Sequence, residues 1–334
     1  MIATIALPGI PGADVPRRRR VCVRSADDLR QAMQHARHSA LTLDASGLDR
    51  VLRLDTAREL LEVQAAAPWS ALVDYLGATA PELSALTADP GLPATVEQSV
   101  SANVAGPDGR PICVHVEALT LVTADGELRR ASRDAHRELF ALAVGGQGVI
   151  AVPYSVTLRV GSLRQSCGSP RSDLRLEGYA PLRRSETDLT LLLPPERLDA
   201  RLTLLREKAA EWRVPIVGAA ARRTLPEEET FLRWARREYA EVRLGFATQS
   251  ALGARVRVAQ ARRELIETAL AQGGSLPPAG IFDVSPGRTD ACYPQLRSFL
   301  GEKRRHDPAD RLYNPWYRRA RGLLSRDPVT VRWG

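Results

Sequence analysis

The residues with the strongest claim to chemistry lie in one alternating run, Tyr239-Ala240-Glu241-Val242-Arg243-Leu244-Gly245-Phe246. A strand turns successive side chains to opposite faces, so Tyr239, Glu241 and Arg243 share one face and Ala240, Val242, Leu244 and Phe246 the other. A carboxylate beside a guanidinium can accept a proton from a substrate and anchor an anion. The same three side chains make sense without chemistry, as a ladder of opposite charges on an uncovered sheet. A second set is glycine-rich: Gly145, Gly146 and Gly148 lead into Val149 and Ile150. Such a turn admits a ligand close to the backbone, and it serves equally as a tight helix-to-strand turn.

Metal and thiol chemistry find less support. Cys22, Cys113, Cys167 and Cys292 are far apart with no CxxC pair, so zinc is not expected and reduced thiols are. His35 and His38 sit three apart on a predicted helix, but without a third ligand nearby they read as a surface face.

The elements that must position these residues follow from periodicity. Val21 to Arg24 is a predicted strand, and Ser25 to Asp28 caps a helix with Leu29, Ala32, Met33 and Ala36 at helical spacing. Two alternating strands follow, then a helix opened by Pro68 and Trp69, then a hairpin of strands around Ala124-Asp125-Gly126. A helix is predicted over 132–143, and a β-branched strand after the glycine turn. Beyond residue 160 the order changes: a strand, a helix with Leu198, Leu202, Leu204 and Leu205 on one face, strands over 215–222 and 239–246, a helical turn at Pro226-Glu227-Glu228-Glu229, and a long helix over 255–272. That order predicts an antiparallel sheet with helices on one face, and an α+β fold overall.

The chain has 334 residues, enough for about two domains of ~150 residues each, and the boundary is expected just after Arg159, giving regions 1–160 and 161–334. No apolar run approaches the ~18 residues needed to cross a bilayer. The amino-terminal apolar stretch precedes its basic run, the reverse of a secretory signal, so a cytoplasmic setting is expected. The net charge of +8 comes from arginines spread through every segment with 5% aromatics, which argues against nucleic-acid binding. The dense basic runs, Arg17 to Arg20 and Lys303-Arg304-Arg305, read as a solvated arm and a solvated helix face.

Several segments, in order, resemble FAD-linked oxidases and dehydrogenases of the vanillyl-alcohol-oxidase (PCMH) type, with the nearest look to sugar-alcohol oxidases and decaprenylphosphoryl-ribose oxidases. They are LTLDASGLDRVLRLD, VQAAAPWSALVDYL, PATVEQSVSANVAG, VEALTLVTADGELRRAS, ELFALAVGGQGVIAVPYSVTLRV and ACYPQLRSFLGEKRRHDPADRLYNPWYRR. The resemblance implies a two-part FAD-binding domain over 1–160 and an antiparallel-sheet cap over 161–334 whose carboxy-terminal tail returns to the first domain. It implies FAD contacts at Thr95, Ser99, Ala102, Asn103, Gly106, Gly145, Gly146, Gly148, Val149 and Ile150. It also turns the Tyr239, Glu241 and Arg243 face toward the flavin, with Glu241 as general base and Arg243 as anion anchor.

The sequence departs from that pattern where phosphate is held. The early glycine-rich phosphate loop is absent, because His35 to Ala40 runs directly into Leu41. Glu97-Gln98 stands where the family has a glycine pair, placing a side chain and a negative charge against a pyrophosphate. Ala105 occupies a frequent histidine attachment position, so any FAD is expected to be non-covalent. After Gly274 the family's basic residue is missing, and Leu276-Pro277-Pro278-Ala279-Gly280-Ile281 offers no proton acceptor. Two readings follow: an FAD-linked oxidoreductase acting on a hydroxyl-bearing carbon of a polyol, sugar or hydroxy acid, or a flavin-free, inactive relative serving as a binding or scaffold subunit beside an intact paralogue or in an oligomer. FAD is accordingly expected to be weakly held or lost. Of the tail, Asn314 and Tyr317 are placed within reach of a pocket and Trp316 in the core.

Overall fold

A computed structural model describes residues 2–5, 19–36, 41–89, 91–169, 172–182, 187–247 and 251–324. The chain begins with β1 (Ile2–Ile5), β2 (Arg19–Cys22), α1 (Ala26–His35) and β3 (Leu41–Asp44). Ser25 caps α1 by accepting from the Asp28 amide at 3.1 Å, and the apolar stripe buries Leu29 and Met33 against this small sheet. β2 runs parallel to β3 while β1 pairs antiparallel to it.

A five-stranded sheet of order β4-β5-β8-β6-β7 follows, built from β4 (Val51–Asp55), β5 (Leu60–Gln64), β6 (Val116–Thr123), β7 (Leu128–Ser132) and β8 (Ala151–Arg159). Between its strands lie α2 (Trp69–Leu76), α3 (Ser84–Ala88), α4 (Val96–Ala102) and α5 (Arg137–Ala143). The helix predicted over 132–143 begins only at Arg137. The Ser132 hydroxyl accepts from the amides of Asp134 and Ala135 at 3.2 and 3.0 Å, which holds the preceding residues in a turn.

After α6 (Val160–Gly168), the cap sheet has the order β10-β12-β11-β9, from β9 (Asp173–Leu174), β10 (Thr187–Leu193), β11 (Ile216–Thr224) and β12 (Tyr239–Phe246). Its apolar face, with Val242 and Leu244, packs under α7 (Leu198–Glu211) and α8 (Leu252–Ala271) through Leu202, Leu205, Ala261 and Leu265. The opposite face is covered rather than exposed, since Leu192 and Tyr239 join the core of the five-stranded region. The expected ladder on an uncovered sheet is therefore corrected. The helical turn predicted at Pro226 to Glu229 is also absent: the Glu227 carboxylate accepts from the amides of Glu229 and Thr230 at 2.7 and 2.9 Å, a side-chain turn that replaces helical bonds. Past α8 only a single bridge, Leu192 to Ser275, extends the sheet before Pro277 and Pro278, which lack ladder donors.

The tail continues through α9 (Pro286–Cys292), α10 (Leu296–His306), β13 (Leu312–Tyr313) and α11 (Pro315–Leu324). β13 pairs with β1, so the tail rejoins the first sheet. Lys303 is fully buried in an ion pair with Asp307 and lies over the Tyr317 ring at 4.8 Å from its centroid. The reading of Lys303-Arg304-Arg305 as a wholly solvated face is thus corrected at Lys303. Of the other basic run, Arg17 and Arg18 lie outside the described residues, as does His38, while Arg20 pairs with Asp44 at 2.6 Å.

Candidate functional site

The site is organised by α4 and the glycine turn beside it. Thr95 caps α4 by accepting from the Gln98 amide at 3.4 Å, and Asn103 ends the helix in the left-handed region at φ 48°. Ser99 is consumed structurally: its hydroxyl accepts from the Trp69 indole at 3.0 Å and donates to the Thr95 carbonyl. Asn103 is equally committed, accepting from the Cys113 amide at 3.0 Å and donating to Glu227 at 3.3 Å, while its own carbonyl receives the Trp234 indole at 2.8 Å.

Gly145 and Gly148 sit at φ 74° and 67°, and a Cβ on Gly146 would collide with the Leu142 carbonyl, so all three glycines are required by the turn itself. Val149 and Ile150 are buried in the core. Gly106 closes a turn by donating to the Arg110 carbonyl at 2.7 Å.

Two cavities flank α4. One, about 30 Å³, lies between Ala65, Thr95 and Glu97 on one side and Gly148 and Val152 on the other. The second, about 150 Å³, lies where the first region meets the cap, between Ala102, Ala105, Gln147, Trp234, Arg222 and Glu241. Of the three candidate side chains on β12, only Glu241 lines it. Tyr239 is buried beneath the Arg237 guanidinium, and Arg243 pairs with Asp188 on β10.

Arg222 is the residue that reading the sequence missed. It lies directly across from Glu241 in the β11/β12 register, donates to both Glu241 oxygens at 2.9 and 3.3 Å and to the Ala105 carbonyl at 3.1 Å, and pairs with Asp89 at 3.5 Å. Burial works against its charge, but the Glu241 and Asp89 carboxylates hold it protonated. Only the cross-strand register, which needs both strands aligned, could have exposed it.

Backbone donors for a pyrophosphate are scarce around α4. The amides of Val96, Glu97 and Ser99 donate to Ala67, Ala65 and Thr95, and those of Gly145 and Gln147 donate to Val100 and Ser101. Glu97 is buried, and burial pushes its carboxyl up from the usual range against the opposing effect of the Ser101 hydroxyl, which donates to it at 2.6 Å. The expected negative charge at this position is therefore disfavoured in the fold, although its side chain still occupies the space. Asn314 reaches the same turn, donating to the Gln147 carbonyl at 2.7 Å, while Trp316 donates to the Pro278 carbonyl at 2.9 Å and Tyr317 is buried.

Residues 19–132 match the family described as FAD binding domain. Among solved structures, the chain is similar to a carbohydrate oxidase from Microdochium nivale in complex with a substrate analogue, at 10% identity and a TM-score of 0.58, covering 93% of this chain and 96% of that one. No curated protein matches the sequence. The chain therefore matches an FAD binding domain over residues 19–132 and shares the fold of that carbohydrate oxidase, here α+β with an antiparallel-sheet cap, and FAD is the cofactor that the domain match supports. The cavity beside Ala105 leaves space next to the cap, whereas among the described residues the amides around α4 leave few free donors for a pyrophosphate. Among the described residues no helix is long and apolar enough to cross a membrane.

Proposed function

We propose that this protein is an FAD-linked oxidoreductase that binds its flavin non-covalently and weakly and acts on a hydroxyl-bearing carbon of a neutral polyol or sugar. The observation that carries this reading is the cavity between Ala102 and Ala105 of the first region and Glu241 of the cap. Bound FAD would supply the hydride acceptor. The chain's own residues supply the rest: Arg222, fixed by two carboxylates and the Ala105 carbonyl, sets the position of Glu241, and Glu241 accepts the hydroxyl proton. Since Arg222 already faces Asp89 and Glu241, it has little charge to offer an acid, which favours neutral substrates over hydroxy acids. The four free cysteines agree with a cytoplasmic setting.

A second reading is an inactive relative acting as a scaffold subunit beside a protein partner. It is favoured by the amides of Glu97, Ser99, Gly145 and Gln147 being engaged within the protein.

An absorbance spectrum of the purified protein, with and without added FAD, and a polyol screen with an artificial electron acceptor test both. Under the first reading added FAD restores turnover, and E241Q lowers it by roughly 10²- to 10⁴-fold, as for loss of a general base. Activity indifferent to E241Q would remove Glu241 from the chemistry, and no flavin binding at any concentration would favour the scaffold.

A further inference from the structure

Away from the flavin site, an open cavity of about 360 Å³ lies between α5, the β6/β7 hairpin and the end of α10. Glu138 of α5 meets Glu302 and His306 of α10 there, with one ligand atom of each lying within 4.8 Å of the others. Glu302 and His306 are four apart, so one helix face presents both. The Arg305 guanidinium reaches both carboxylates, touching Glu138 and lying 2.7 Å from Glu302 without hydrogen-bond alignment. His306 Nε2 is shut off from solvent and has no hydrogen-bond partner, although imidazole nitrogen normally finds one.

We propose that Glu138, Glu302 and His306 form a binding site for a first-row divalent cation, Zn²⁺ by preference, that clips α10 to α5. Two carboxylates and one imidazole suit zinc, and the open cavity leaves room for water as the fourth ligand. In the metal-free protein Arg305 acts as the resident cation between the carboxylates. Its side chain is 58% exposed, so it can swing out when the ion enters. The site does not involve the flavin cavity and stands apart from the proposed oxidoreductase function.

The test uses tag-free, chelator-stripped full-length protein titrated with Zn²⁺ by calorimetry and with Co²⁺ by visible absorption. One equivalent should bind, Co²⁺ should give ligand-field bands, and Zn²⁺ should raise Tm. H306A should weaken binding by more than about a hundredfold, beyond the loss of an outer-shell partner. R305A should tighten it by removing the competitor. E138Q, at an exposed position, should also weaken binding and keeps the test valid if H306A folds poorly. Absence of Zn²⁺ binding, or binding indifferent to both H306A and E138Q, would overturn the proposal.

Discussion

Two buried ionisable residues contribute to the pH response of the fold with opposite signs. His115 is fully buried with Nδ1 2.8 Å from the Ser162 hydroxyl, and burial, partly countered by Asp108, depresses its pKa from 6.5 to about 4. As pH falls below 6.5 the unfolded chain takes up a proton that the native state refuses, so stability declines from 6.5 down to about 4 and then levels. The shift bounds this loss at a few kcal/mol, at about 1.4 kcal/mol per pH unit. Denaturant unfolding at several pH values should show the slope shrink in H115Q, and an unchanged slope would assign it to other groups. Glu97 behaves in the reverse sense. Its raised pKa stabilises the fold at low pH and is lost as pH rises through the native value, so E97Q should gain stability at pH 7 to 8 relative to wild type. Because Glu97 lines the small cavity by Gly148, E97Q should also tighten FAD binding in a fluorescence titration run above the native Glu97 pKa, where the wild-type carboxylate is charged. Weaker FAD binding in that variant would mean Glu97 holds the cofactor.

At the scale of elements, α10 depends on a buried ion pair that sets the path of the tail. Lys303 pairs with Asp307, whose carboxylate also accepts from the amides of Arg311 and Leu312 at 2.9 and 2.7 Å, turning the chain into β13. K303A would leave Asp307 buried and uncompensated, and should cost about 3–5 kcal/mol in urea unfolding. A loss below about 1 kcal/mol would show the site to be hydrated. Hydrophobic period made α1 and the alternating strands legible in the sequence, because one apolar face must meet a core whatever the neighbours are. The turn at Glu227 was not legible, since its carboxylate competes with helical bonds only once Thr230 is brought back to it. Lys303 was hidden within a basic run whose other members face solvent. The glycine turn was legible as a turn, and the engagement of its amides by Val100 and Ser101 required the packing of α4. Glu138 and His306 are far apart in sequence, and no spacing rule joins them.

The whole molecule is joined at Arg222, a cap residue whose partners include Asp89 and the Ala105 carbonyl of the first region. Gly91 packs against this guanidinium so closely that a Cβ would lie 2.9 Å from Nη1, which leaves the arginine one seat. The arrangement takes a cation out of water between two carboxylates that are themselves buried or nearly so, and its components cannot be removed one at a time without cost. R222A should therefore destabilise the protein by about 3–5 kcal/mol, through the charges left behind on Asp89 and Glu241. The triple variant D89N/R222M/E241Q removes all three charges together and should recover most of that stability, because apolar replacement of a buried ion network is often neutral. If the clamp also holds the cap against the first region, R222A should be cut by protease between the two regions faster than wild type, and the triple variant should resist like wild type. Equal cleavage of R222A and wild type would assign closure instead to the apolar contacts of Leu192, Trp234 and Tyr239.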